Sequence, residues 1–294
     1  MDPLDLKKSF EYQNKNIRYV RYGDLVMLKE SSLKKISVDD LKDLENDVRV
    51  EELKKRFRCK RIAIQSTIVD DDFRTPQIKI LGSDTNPWVH HVDNGVKYTF
   101  NITKSMFSKG NIGEKLRLSK LNCQDEVVVD LFAGIGYFSL VFAIRCKASK
   151  VYCCEWNPDA IEALKRNIIL NKVQDKIVIC EGDNRVSAPV GVANRVNMGL
   201  IPTSQSSLET ACKSLNNSFT NLILHVHDNV NRYEDFNDMA TIKWSKDLRD
   251  KVQKIMSRLH PEQHWRVVVD NISRVKPYAP HIDHMVFDIR INNI

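Results

Sequence analysis

Residues 126–138 read EVVVDLFAGIGYF: an apolar run that ends in an acid, crosses Gly134-x-Gly136 and enters a helix-like stretch. A short strand that is apolar on every residue is buried on both faces, which requires a parallel sheet covered by helices on each side. The alternation continues along the chain. Residues 151–155 (VYCCE) form a second strand; Asn157 then caps a helix with Pro158 at its first position, and Ile161, Leu164 and Ile168 form its inner stripe. Residues 176–180, 194–199 and 221–226 supply the third, fourth and fifth strands. Leu248, Val252, Ile255, Met256 and Leu259 mark an amphipathic helix, and residues 265–269 and 285–291 close the sheet. The expected fold class is α/β, a Rossmann-like, mostly parallel sheet with an antiparallel closing strand.

The first hundred residues have a different texture. Residues 17–20 and 24–28 are strand-like around Tyr22-Gly23, and residues 38–41 look like a helix start with Leu44, Val48, Val50 and Leu53 following. Residues 62–64 and 78–81 are further strands. Residues 88–92 and 96–100 flank Asp93-Asn94-Gly95, and Asn-Gly between β-prone runs is a strong hairpin signal because both residues tolerate positive φ. A smaller α+β domain over 1–105, ahead of a catalytic domain over 106–294, is therefore expected. Of the net charge of +7, nearly all lies early: residues 1–121 hold 24 basic and 18 acidic residues, the remainder 21 and 20. Residues 54–61 read KKRFRCKR. This run is either an exposed helix end or a phosphate-contacting patch; Phe57 interrupting it favours the second, with Lys54 and Arg56 as substrate-binding candidates.

Hydrophobic residues at 42% and charged residues at 28% exclude a disordered chain. No run approaches the roughly 18–20 apolar residues of a membrane span, and MDPLDLKKSF, with acidic residues and no apolar stretch, is not expected to act as a secretory signal. The seven cysteines include no C-x-x-C, so reduced thiols and a cytoplasmic location are expected. His225-x-His227 puts two imidazoles on one strand face, but no third ligand is evident, and no metal is expected.

Three acids follow three consecutive strands: Asp130, Glu155 and Asp183. Beside Gly134 and Gly136 they suit a nucleoside laid across the carboxyl ends of a parallel sheet, with Glu155 accepting from ribose hydroxyls and Asp183 from an adenine amino group. The loop is one glycine short of G-x-G-x-x-G, since Ser139 stands at the third position. A site that grips sugar and base through carboxylates fits S-adenosylmethionine better than a dinucleotide.

DLFAGIGYF, the run CCEWNPDAIEALKRN, EGDNR at 181–185 and NRVNMGLIPTS at 194–204, with KSMFSKGNIGEKLR at 104–117 and RVKPYAPHIDH at 274–284, resemble the class I methyltransferase-like enzymes that modify the guanosine-derived base at position 37 of phenylalanine tRNA. Within them the chain is similar to the wybutosine-synthesizing aminocarboxypropyltransferases. The resemblance implies a class I methyltransferase fold and transfer of the 3-amino-3-carboxypropyl group of S-adenosylmethionine to 4-demethylwyosine in tRNA. It implies Ser108 and Lys115 as cofactor contacts, Lys115 pairing with the methionine carboxylate, and Glu155, Asp183 and Asn184 as ribose and adenine ligands.

Asn197 to Pro202 occupy the slot where base methyltransferases carry Asn-Pro-Pro or Asn-Leu-Pro; Gly199-Leu200 stands where a proline is usual, a departure that favours alkylation at carbon over N-methylation. His281 and His284, with Arg274, Lys276 and Tyr278, either line the substrate mouth or pack a β-hairpin. A tRNA guanine-N1 methyltransferase and a non-catalytic RNA-binding protein are the competing readings. A monomer is expected, and no residue stands out as the catalytic base.

Overall fold

The computed structural model describes residues 19–33, 47–68, 76–232 and 239–294. The strand positions Ile17 and Arg18, and the helix start at 38–41 with Leu44, lie outside them. The chain divides into two compact units, one comprising Met1–Val92 and Lys97–Phe107, the other Asp93–Val96 and Ser108–Ile294.

The first unit holds a four-stranded sheet, β1 (Tyr19–Tyr22), β2 (Leu25–Lys29), β3 (Arg61–Ile68) and β4 (Pro76–Leu81), in the order β1-β2-β3-β4. β2 and β3 are parallel, linked through α1 (Asp47–Phe57), whose Val50 and Leu53 pack on Val26, Leu28 and Ile62. Arg61 is buried, and its guanidinium is held by Asp24 and by the carbonyls of Asn86 and Trp88. The expected hairpin forms from β5 (Trp88–Asp93) and β6 (Val96–Asn101), with Asn94 and Gly95 both at positive φ.

The second unit is built on a seven-stranded sheet: β7 (Val127–Asp130), β8 (Lys150–Glu155), β9 (Ile177–Glu181), β10 (Arg195–Met198), β11 (Leu222–Asn231), β12 (Trp265–Ala279) and β13 (Ile282–Asn293), in the order β12-β13-β11-β10-β7-β8-β9. The first five strands run parallel; β13 runs antiparallel to both β11 and β12. The helices are α2 (Ile112–Leu118), α3 (Ser139–Ile144), α4 (Pro158–Asn171), α5 (Leu208–Ser214) and α6 (Met239–Leu259). Leu208 and Ala211 of α5 and Leu248, Val252 and Met256 of α6 share one core with Val196, Leu224, Val226 and Phe287. Because side chains alternate along a strand, His225 and His227 point to the other face, where Phe142 and Phe138 meet them. Asn157 caps α4 by accepting from the Asp159 amide, with Pro158 at the first turn as expected.

Candidate active site

The carboxyl ends of β7, β8 and β9 bring the predicted acids to one rim, each in a different role. Asp130 is fully buried and braces β7 against its neighbours: it accepts from the Ser139 hydroxyl at 2.6 Å and from the Asn197 amide at 3.0 Å. Burial pushes its carboxyl up, and the two side-chain hydrogen bonds pull it back.

Glu155 organises the loop beneath the rim. One carboxylate oxygen accepts from the backbone N–H of Trp156 and Asn157 at 3.0 and 2.8 Å, the other from Gly134 at 2.7 Å. A carboxylate offers about four acceptor sites, so the second oxygen keeps capacity for a ligand hydroxyl. Asp183 is partly exposed, caps a single helical turn (Asn184–Ser187) and pairs with the Arg185 guanidinium, which holds its carboxyl below the ordinary range. Asn184 uses both ends of its amide within the protein: it donates to the Leu131 carbonyl at 3.0 Å and accepts from Ser207 at 3.0 Å.

Gly134 and Gly136 have φ of 55° and 95°, a region that favours glycine. The protein's own packing needs them as well. A Cβ on Gly134 would lie 2.5 Å from the Tyr137 ring, and one on Gly136 2.9 Å from Leu140. The tight turn is therefore set by internal contacts first.

Lys115 and Ser108 have partners that the sequence did not suggest. The Lys115 ammonium is 1% exposed and lies 3.0 Å from Asp93, the residue that opens the hairpin turn. Burial lowers its pKa and Asp93 opposes the shift. Ser108 accepts from Lys276 of β12 at 2.6 Å. Asn197 is fully buried; its amide nitrogen serves Asp130, while its Oδ1 has no hydrogen-bond partner among the described residues. Gly199 leaves room for Phe138, whose ring would sit 3.1 Å from a Cβ there. Pro202, on a cis peptide bond, is exposed, and its carbonyl accepts from the Asn229 amide.

A polar layer on the histidine face of β11 went unseen in the sequence. His225 lies 2.6 Å from Asp288 through Nδ1 and 2.8 Å from the Arg195 guanidinium through Nε2. A guanidinium only donates, so Nε2 carries the lone pair and Nδ1–H donates to Asp288. His225 is thus neutral, and burial keeps it so by lowering its pKa. Arg117 forks between Glu114 and Asp288, and Arg195 pairs with Glu126 at 2.6 Å. His227 meets His284 at 2.9 Å, while Arg274 turns to Asp283. The available signal was alternation: His225 and His227 share one face, as do His284 and Asp288. Which strand faces which was not written in either segment. Among the described residues no group of three metal-ligating side chains forms, and no helix is long and apolar enough to cross a membrane.

In the first unit, Lys54, Lys55, Arg58 and Lys60, with Arg21, Asp24 and Glu51, line a cavity of about 780 Å³. Lys54 is bound to Glu51 at 2.8 Å and only 12% exposed. Arg56 does not line the cavity; it is half-buried, lies over the Phe57 ring, and has its pKa lowered by burial. Phe57 packs edge-on against Tyr19. The exposed cations of the run are Lys55, Arg58 and Lys60.

Strand order, one antiparallel strand and a glycine turn backed by a carboxylate define the second unit as a class I methyltransferase fold. The model of the TRM5/TYW2 methyltransferase domain matches residues 89–249. The chain is 43% identical over 273 residues to the tRNA wybutosine-synthesizing protein 2/3/4 of Arabidopsis thaliana, covering 93% of this chain and 26% of that protein. It is 35% identical over 310 residues to the tRNA wybutosine-synthesizing protein 2 homolog of Bos taurus, covering 92% and 69%. Among solved structures, P. horikoshii TYW2 in complex with MeSAdo superposes with a TM-score of 0.69 at 28% identity, over 94% of this chain and 90% of that one. The chain belongs to the TRM5/TYW2 methyltransferase family. It spans about a quarter of the length of the plant relative.

Proposed function

We propose that this protein transfers the 3-amino-3-carboxypropyl group of S-adenosylmethionine to 4-demethylwyosine at position 37 of phenylalanine tRNA, releasing methylthioadenosine. The observation that carries the reading is Glu155, held by three backbone amides at the rim with acceptor capacity left on one oxygen. A carboxylate fixed in this way is pre-set for a ribose. Asp183 stands at the next strand end for the adenine, with Asn184 locking its turn. Gly134 and Gly136 shape the floor, Asp130 braces it from below, and Ser108 and Lys115 serve the amino-acid arm, Lys115 exchanging Asp93 for the methionine carboxylate. Asn197 and Pro202 receive the target base. When bound, the sulfonium donor activates three carbons for displacement, and the one aligned with the acceptor reacts. Rate then comes from alignment, for which about 7–11 kcal/mol is available. The wybutosine-synthesizing names of the relatives support the choice of group and substrate.

Mass spectrometry of tRNA incubated with the protein and methyl-labelled S-adenosylmethionine tests this. An added aminocarboxypropyl mass, with label lost in methylthioadenosine, is expected. A labelled methyl on guanosine would make the protein a guanine-N1 methyltransferase, and unmodified tRNA would favour RNA binding alone.

Glu155→Ala should weaken cofactor binding by about 1–3 kcal/mol, because it leaves loop amides and ligand hydroxyls unpaired; calorimetry with S-adenosylmethionine reads this, and an unchanged Kd would remove Glu155 from the site. For tRNA, the basic cavity is the proposed contact, with Lys54 and Arg56 supporting the exposed cations. Changing Lys55, Arg58 and Lys60 to glutamine should weaken tRNA binding and flatten its salt dependence by about one unit of slope per lost phosphate contact, leaving cofactor affinity intact. A filter-binding salt titration identical to wild type would show the run to be ordinary solvated surface.

A further inference from the structure

A file of polar side chains runs along one face of β10, β11 and β13. Asn197 is in register with His225, and Asn229 with His284; alternation puts His227 on the same face. His227 and His284 are 0% and 1% exposed. Their facing nitrogens, Nδ1 of His227 and Nε2 of His284, are 2.9 Å apart. Their outer nitrogens, Nε2 of His227 and Nδ1 of His284, have no partner among the described residues. Leaving buried polar atoms unsatisfied costs about 1–3 kcal/mol each, so two at the ends of one hydrogen-bonded pair call for a functional explanation.

The geometry fixes what the pair presents. Only one hydrogen can sit between the facing nitrogens. If it is on His227, the outer nitrogen of His227 is a bare lone pair and the outer nitrogen of His284 carries a hydrogen; if it is on His284, the two ends exchange roles. A neutral pair therefore always shows one proton acceptor at one end and one donor at the other. A proton entering at the acceptor and leaving at the donor converts one form into the other without charging either ring. Burial above all holds both rings neutral; the charge of Arg117 acts the same way on His227 and that of Lys276 on His284, while Asp288 opposes it at His227. His227 follows Val226, the register partner of Met198 at the end of β10, and packs 5.0 Å from the Phe138 ring that lies against Gly199.

We propose that His227 and His284 form a proton relay for the group transfer; this rests on the aminocarboxypropyl reading above. As the acceptor carbon forms its new C–C bond, the donor C–S bond breaks with its electron pair going to sulfur, and the acceptor carbon must release its hydrogen as a proton. Both outer nitrogens are buried, so the bare nitrogen of the pair takes that proton through a bridging water, and the hydrogen at the far end leaves through another to bulk solvent.

His284→Gly in the full chain should lower single-turnover transfer to tRNA about a hundredfold, within the range for a positioned acid–base group. Imidazole should restore the rate; pyrazole, of equal size and far weaker basicity, should not. Equal rescue by both would reduce the pair to packing and overturn the proposal. His284→Gln keeps a hydrogen-bonding atom facing His227 but cannot pass a proton, so it should fold, bind S-adenosylmethionine within about twofold of wild type, and lose the same activity; full activity would overturn the relay. Independently of turnover, nitrogen NMR of the histidine-labelled protein without cofactor should show both rings neutral at pH 7, with one shared hydrogen, and a cationic ring in either would refute it. A wild-type protein that leaves tRNA unmodified defeats the transfer reading instead, and the NMR result still judges the pair.

Discussion

Arg117→Ala is expected to destabilise the protein by about 3–5 kcal/mol, the cost of removing one partner from a buried ion pair. The Arg117 fork holds two carboxylates, Glu114 at 2.7 Å and Asp288 at 2.5 Å, and those side chains are 1% and 13% exposed. Without the guanidinium, Glu114 faces only the protein interior. Burial already pushes its carboxyl up, with Arg117 as the counterweight, so in the variant it should take up a proton or the helix end should shift. Asp288 keeps the Nδ1–H of His225 and loses its cation. Arg117→Lys retains the charge but not the planar fork that reaches both acids, and should fall between. Urea denaturation at pH 7 reads the result as a lower midpoint with an unchanged slope. A loss below about 1 kcal/mol would mean that the cluster relaxes without it.

This cluster also marks where sequence reading stopped. The alternation from 126 to 226 was legible because β7 and β9 are apolar on nearly every residue before the closing acid, as a doubly covered sheet requires, even though β10 and β11 carry Arg195, Asn197, His225 and His227. β12 was read as five residues and runs from Trp265 to Ala279, because it is an edge strand paired only with β13 and beyond Val269 its polar residues resemble a loop. The rim positions of Glu155 and Asp183 were legible because Glu155 ends β8 and Asp183 follows β9 by two residues. Lys115 was singled out only through the resemblance, and its partner Asp93 was hidden inside a turn whose residues already had a sufficient explanation in φ. The basic run was visible as charge, whereas the fact that Lys54 is tied to Glu51 and Arg56 is turned over Phe57 depends on which face α1 buries. The pairing of His227 with His284 needed the register of β11 against β13, two segments separated by a long helix.

The same buried imidazoles set the response to acid. Stability is expected to fall steadily as pH drops from about 6.5 toward 4, before Asp288 titrates. His225, His227 and His284 all have folded pKa values below the ordinary 6.5, burial being the largest cause for each, and that of His284 is lowered to about 4. A group whose folded pKa is depressed binds fewer protons folded than unfolded, so its contribution is fully present above pH 6.5 and is lost as pH falls toward the folded pKa. At about 1.4 kcal/mol per unit, the step for His284 alone is about 3 kcal/mol, with no discount for solvent because the ring is 1% exposed. Asp288 acts with the same sign in a lower pH window: His225 and Arg117 hold its carboxyl far below the usual range, so its contribution survives until stronger acid. Urea midpoints at pH 7, 6, 5 and 4 give the slope, and His284→Gln should remove up to one proton from it. A wild-type stability that stays level between pH 7 and 5 would mean that these rings are charged or solvated in the folded protein, and the neutral pair between β11 and β13 would lose its physical basis.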